Sequence, residues 1–253
     1  MLKTNQLAQF DFKGIIRCAR YGFMPNRLSF CGPDKNKDLF HYCHSKEIDH
    51  GLKQILEDFQ TLYPYLKFIA RYNRIKDPFK EEVVEAYWIG NSLLENITKS
   101  QLYGHLINNF QVKKKLTKPL INRLNKKIVL GAKAHHNFHV LSIWKQPDKI
   151  NSLQVLSSMD LCRISWGKVK KVNQSDLKVE YQPLVLKNDR LNLGKPILEK
   201  VSYRIGDKGF IKKPEKGDWI SMHWGFVCEV LSDWQVANLK KYTLENIDLA
   251  NLS

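Results

Sequence analysis

The spacing of apolar residues changes period near Phe138, and that change limits the folds open to this chain. Before it, apolar positions recur as in helices packed on one side. Leu52, Ile55, Leu56, Phe59, Leu62, Tyr63, Leu66 and Ile69 keep the i, i+3, i+4, i+7 spacing, with a bend expected at Pro64. Ile15, Ile16, Ala19 and Phe23 predict a short first helix ended by Pro25, and Gly32-Pro33 a turn. Asp77-Pro78 predicts a helix start, with the helix carrying Val83, Val84, Tyr87 and Trp88 toward Ile97. Leu102 to Phe110 reads as a further short helix.

From Phe138 the apolar residues alternate or cluster briefly, as in strands. Phe138-Val140, Ile143-Trp144 and Ile164-Trp166 with Val169 and Val172 are expected strands. Leu177, Val179 and Tyr181 alternate, as do Val201, Tyr203 and Ile205, and Ile220 with Met222 makes one more. Turns are expected over Asn173 to Asp176 and at Lys216-Gly217-Asp218. Ser232-x-x-Gln235 is a capping-box pattern, followed by Val236, Leu239 and Tyr242 on one helical face. Helices, then strands, then a helix predict an α+β fold. The expected parts are a mainly helical domain (1–130), a connecting segment with clustered histidines (131–158), and a small antiparallel β-barrel with a C-terminal helix (159–253).

The chain has 253 residues, enough to bury a substantial core. No apolar run approaches the roughly 20 residues of a membrane helix, and Met1 to Phe12 lacks a secretory h-region, so a cytoplasmic protein without membrane insertion is expected. Its 5 cysteines form no CxxC pair, which argues against a disulfide framework or a zinc ribbon. The net charge of +16 suits acidic partners, anionic lipid or nucleic acid. The densest basic stretch holds Lys113, Lys114, Lys115, Lys118, Arg123, Lys126, Lys127 and Lys133 and supports nucleic-acid binding as an alternative function.

P-loop, GxGxxG, HExxH and GxSxG motifs are missing. Ala134-His135-His136-Asn137-Phe138-His139 places three imidazoles close together. His135 and His139 share a face whether the segment is extended or helical, and with a third ligand they would bind zinc, iron, nickel or copper. A metal-dependent enzyme centred on these rings, converging on a carboxylate such as Glu85, is the alternative reading. Asn26, Arg27 and Cys31 follow a helix in a loop, where binding residues are often found.

Two further segments carry a resemblance. Cys162-Arg163-Ile164-Ser165-Trp166-Gly167-Lys168-Val169 precedes, at a distance, Gly217-Asp218-Trp219-Ile220-Ser221-Met222-His223-Trp224-Gly225-Phe226-Val227 and the capped last helix. Together they resemble the small HypC-type chaperones of NiFe-hydrogenase assembly, over Met159 to about Ile247. The resemblance implies an OB-like barrel and an iron held by Cys162 as thiolate and His223 as imidazole, with Gly167 and Gly225 as turn glycines. It implies a hydrogenase-maturation protein or the hydrogenase large subunit as partner. Arg163 and Lys168 are expected to favour the thiolate. This sequence departs from the family's pattern in having Trp166 where the family has proline, in its internal cysteine, and in an insertion over Asn188 to Lys216. The first half, through Arg20-Tyr21-Gly22-Phe23-Met24-Pro25-Asn26-Arg27-Leu28, Cys31-Gly32-Pro33 and Ala86-Tyr87-Trp88-Ile89-Gly90-Asn91, is similar to an uncharacterised bacterial family.

Overall fold

A proline in the last turn of the first helix shows how local chemistry shapes this fold. In the computed structural model, which describes residues 11–110, 117–144 and 153–252, helix α1 spans Phe12–Arg27. The Asp11 carboxylate accepts from Gly14 N at 3.0 Å and caps it. Pro25 lies inside α1 instead of ending it. Its missing N–H leaves the Tyr21 carbonyl without the i→i−4 bond, and that carbonyl accepts from His223 instead, at 2.8 Å.

The helical part continues through α2 (Asn36–Ser45), α3 (His50–Glu57), α4 (Leu62–Tyr72), α5 (Glu81–Trp88), α6 (Lys99–Asn109) and α7 (Lys118–Val129). Several expectations are corrected. The helix over Leu52 to Ile69 is two helices, broken before Leu62, and Pro64 sits in the first turn of α4, where its missing N–H costs little. Asp77 caps a turn by accepting from Phe79 N at 2.9 Å, and the helix starts later, at Glu81. It stops at Trp88, before Gly90 at φ +94°, well short of Ile97. Helix α2 carried no sequence signal strong enough to be expected.

The segments Phe138-Val140 and Ile143-Trp144, expected as strands, form helix α8 (His136–His139) and a π-helical turn over Val140–Trp144. Short apolar clusters do not distinguish a strand from a buried helical turn. Helix α9 (Leu153–Cys162) follows, so Cys162 ends a helix and does not open a strand.

The strands are β1 (Ser165–Val172), β2 (Asp176–Tyr181), β3 (Leu184–Lys187), β4 (Arg190–Leu193), β5 (Ile197–Ser202), β6 (Trp219–His223) and β7 (Phe226–Leu231). Helix α10 (Asp233–Ala250) ends the fold, with the Ser232–Gln235 capping box formed. Strand pairing runs β1-β2-β5-β7-β6 and returns from β6 to β1, while β3 and β4 pair only with each other. The β5–β7 link is a single parallel bridge, Ser202 with Phe226. Asn173 N donates to Asp176 O at 2.9 Å in the expected turn, whereas Tyr203 and Ile205 lie beyond the end of β5.

One buried apolar cluster holds Ile15, Tyr21, Leu66 and Val84 together with Ile164, Trp166, Phe226 and Tyr242, so the core is continuous between helices and sheet. Arg17 strengthens the seam by donating from Nε to Glu229 Oε2 at 3.0 Å and from Nη1 to Glu85 Oε1 at 3.4 Å. Of the basic stretch, Lys113, Lys114 and Lys115 lie outside the described residues. Lys127 is buried and donates to Ser142 Oγ at 3.3 Å, and Lys133 pairs with Glu95 at 2.6 Å, so part of that charge serves internal contacts. Among the described residues no helix is long and apolar enough to cross a membrane.

Asn137 is wholly buried and ties α8 to the start of β1. Its Oδ1 accepts from Ile164 N at 2.7 Å, and its Nδ2 donates to Ile164 O at 3.0 Å and Thr243 Oγ1 at 2.9 Å. Asn137→Ala would strand both backbone groups of Ile164, at about 1–3 kcal/mol per buried group. We expect a loss of about 2–4 kcal/mol in urea unfolding; a change within about 0.5 kcal/mol, the range of ordinary surface substitutions, would contradict this role.

Candidate functional site

Three side chains from three elements converge. His136 opens α8, Cys162 closes α9 and His223 ends β6, and one ligand atom of each lies within 4.8 Å of the other two. Backbone ties next to the three residues hold them there. Trp224 N donates to Leu161 O at 2.7 Å, linking the residue after His223 to the residue before Cys162. His136 Nε2–H donates to Cys162 O at 2.9 Å. The Asn137–Ile164 pair then fixes the neighbours on the other side.

Hydrogen bonds set the tautomers, because a carbonyl only accepts. His223 must donate from Nδ1 to the Tyr21 carbonyl freed by Pro25, which leaves the lone pair on Nε2. That Nε2 is buried and has no hydrogen-bond partner among the described residues. His136 donates from Nε2, so its lone pair is on Nδ1, where it accepts from the Tyr87 hydroxyl at 3.1 Å. Burial pushes the His223 ring down to about 4, against the opposing Tyr21 carbonyl. Burial, and then the neighbouring His223, hold His136 well below the ordinary histidine value. Both rings are therefore neutral near pH 7, the form that ligates metals.

The cluster faces a cavity of about 90 Å³ lined by Pro25, Phe59, Trp88 and Trp224, with Cys31 and His139 also on its wall. That is room for more than one water-sized group. Trp224 and Gly225, at φ +52° and +70°, make the turn of the β6–β7 hairpin, and the Trp224 ring stacks on Phe30 at 4.2 Å.

The other expected site residues lie apart from this cluster or support it. His135 is wholly buried as the N-cap of α8, with Nδ1 accepting from Asn137 N at 3.1 Å and its ring stacked on Tyr242. Burial lowers its pKa to about 3. His139 Nδ1 meets the Tyr65 hydroxyl at 3.2 Å. Among the described residues it is His136, with Cys162 and His223, whose ligand atoms converge. Glu85 pairs with Arg17 and accepts from Gln235 at 2.7 Å. Asn26 and Arg27 lie in the last turn of α1, not in the loop expected; Asn26 closes the loop that follows by donating to the Cys31 and Pro33 carbonyls, Arg27 is exposed, and burial pushes the Cys31 thiol up to about 11. Arg163 donates to Asp160 and the Gln182 carbonyl, and the Lys168 ammonium lies over the Trp219 ring, so both are engaged elsewhere. Gly225 is a turn glycine as expected, but Gly167 lies within β1, where a Cβ would sit 2.3 Å from Val179 Cγ1, so close packing requires it. Tyr21, Pro25 and Tyr87 were missed as site residues, since a backbone carbonyl and a distant hydroxyl leave no local pattern.

Residues 10–253 match the model of a family described as Family of unknown function (DUF6390). No curated protein and no solved structure matches the chain.

Two outcomes follow from this geometry. His105, with its pKa lowered to about 4 by burial, adds to the buried neutral histidines. Between about pH 6.5 and 4 the unfolded chain binds protons that the folded metal-free chain does not, so stability is retained above that window and falls as pH drops through it. Urea midpoints at pH 7 and pH 5 check this; equal midpoints would contradict it, and His105→Gln should shrink the difference. Pro25→Ala supplies an N–H that competes for the Tyr21 carbonyl. Nitrogen NMR of His223 should then show loss of the single Nδ1–H tautomer, and an unchanged tautomer would refute the proline's role.

Proposed function

The chain belongs to that family, and we propose that it is a metal-handling accessory protein that holds one transition-metal ion through His136, Cys162 and His223. The carrying observation is the meeting of two imidazole nitrogens and a thiol sulfur within 4.8 Å, at a histidine, His223, whose Nε2 is buried without a hydrogen-bond partner among the described residues. Ligand atoms about 2.0–2.3 Å from a tetrahedral ion lie roughly 3.5 Å apart, so small side-chain movements complete the site. Both histidines donate their other ring N–H to backbone carbonyls, the usual support for a metal-bound imidazole. At His136 the metal would displace the Tyr87 hydroxyl.

Three protein ligands leave a further coordination position, and the small cavity beside them gives it room. That suits a protein that carries, scaffolds or passes on a metal. A sulfur and nitrogen donor set suits iron, zinc or copper. The resemblance to HypC-type chaperones favours iron as cargo, with a hydrogenase-maturation protein or the hydrogenase large subunit as partner. Two features support that reading. Cys162 and His223, the residues it singles out, lie together, and the pairing β1-β2-β5-β7-β6 returning to β1 is compatible with an OB-like barrel. His136 adds a ligand from the connecting segment, outside the resembling one.

Anaerobic titration with cobalt(II) tests metal binding by the sulfur-to-metal charge-transfer band. We expect a one-to-one complex, loss of the band in Cys162→Ser, and at least about tenfold weaker binding in His223→Ala and His136→Ala. Failure of the protein to bind cobalt, zinc or iron would overturn the proposal. Anaerobic co-purification with hydrogenase-maturation proteins, followed by iron analysis and infrared spectroscopy for bound cyanide and carbonyl, tests the narrower reading. No partner and no such bands would sink that reading while leaving metal binding standing.

A further inference from the structure

We propose that the cleft between α4 and α6 is a second binding site, for a phosphorylated small molecule of nucleotide size. The cleft measures about 680 Å³, within the usual range of roughly 300–1,000 Å³ for small-molecule sites, and shares no lining residue with the metal cavity. Lys67, Arg71 and Lys76 line it, and no carboxylate does.

Those cations are not balanced within the protein. Among the described residues Lys53, Lys80, Lys133, Lys170 and Lys241 have acidic partners, but Lys67, Arg71 and Lys76 have no carboxylate within 4.0 Å, and Lys67 and Arg71 lie instead over the rings of Tyr63 and Tyr72, at 4.7 and 5.7 Å, contacts that leave their charge uncompensated. Lys67 and Arg71 also stand four residues apart on one helix, where like charges repel unless an anion lies between them. Ammonium and guanidinium donors are the usual phosphate-binding groups. The rest of the cleft suits a planar ring: half-buried Tyr72 and the Phe68 side chain supply apolar surface, and Gln101 and Asn108 of α6 supply amide groups.

Gly104 gives an independent reason. It lies inside α6 and lines the cleft, yet a Cβ there would meet nothing within 4 Å. Its φ is not positive, and no neighbour requires it to be small. An interior helical glycine costs about 1 kcal/mol relative to alanine. Here packing gives no compensation, while a ligand would occupy the space the missing side chain leaves.

The test is calorimetric titration of the full chain with ADP, pyrophosphate and adenosine. ADP should bind, pyrophosphate more weakly, and adenosine not detectably, with ADP affinity falling as salt rises. Arg71→Ala should weaken ADP about tenfold, the value of one charge-assisted hydrogen bond. Gly104→Phe should abolish binding without lowering the circular-dichroism melt, because its side chain enters open space and phenylalanine is the better helix former. Cys162→Ser should bind ADP as the parent does. Lack of ADP binding, or equal binding in Arg71→Ala and Gly104→Phe, overturns the proposal. So does tighter binding of a short single-stranded RNA that is lost in the same variants, which would assign the cleft to a macromolecule.

Discussion

The hydrogen bond from His223 to the Tyr21 carbonyl is the contact on which the candidate site depends, and a missing N–H makes it available. Proline at position 25 cannot bond back to Tyr21, so a carbonyl that a regular helix would use internally is left to the sheet. The same residue anchors the seam through its side chain. The Tyr21 hydroxyl donates to Glu229 at 2.7 Å and lies 2.8 Å from Ser221 Oγ, and its ring stacks on Trp88. One residue of α1 thus holds β6 by its backbone and both β6 and β7 by its side chain. Breaking that seam would leave buried polar groups without partners, which costs more than the bonds themselves contribute.

A second set of bonds brings the thiol to the imidazoles. Leu161, Cys162 and Ile164 each use a backbone group to bind Trp224, His136 and Asn137 respectively. Three of the four positions from Leu161 to Ile164, at the end of α9 and before β1, are therefore matched with residues flanking or forming the site. Such a scaffold fixes ring orientation before any metal arrives, which reduces the ordering cost of binding. Burial keeps the rings neutral, so a cation entering the cavity meets lone pairs and not positive charge.

Much of the element order was legible in the sequence. The helical spacing from Leu52, the alternation at Leu177–Tyr181 and the Ser232–Gln235 capping box are periodic or motif-based signals that survive in any context. Boundaries were less legible where two structures satisfy the same local pattern. Phe138-Val140 packs as well in a helical turn as in a strand, and Cys162 lies three residues before a strand, where a helix end and a strand start look alike. Pro25 reads as a stop until a partner for the freed carbonyl is known.

The sequence by itself determined which residues had the chemistry: Cys162, His223 and a histidine cluster, two of them carried by short motifs that keep donor and context together. The tertiary structure decided which of them meet. His135, His136 and His139 are nearly equivalent as letters, but the turn of α8 makes the first a helix cap, aims the second at Cys162 and His223, and leaves the third against Tyr65. That choice depends on contacts with residues far away in the chain, including a carbonyl released by Pro25 and a hydroxyl on Tyr87. Spacing along the chain does not encode such contacts, because they exist only once the helices and the sheet have packed together.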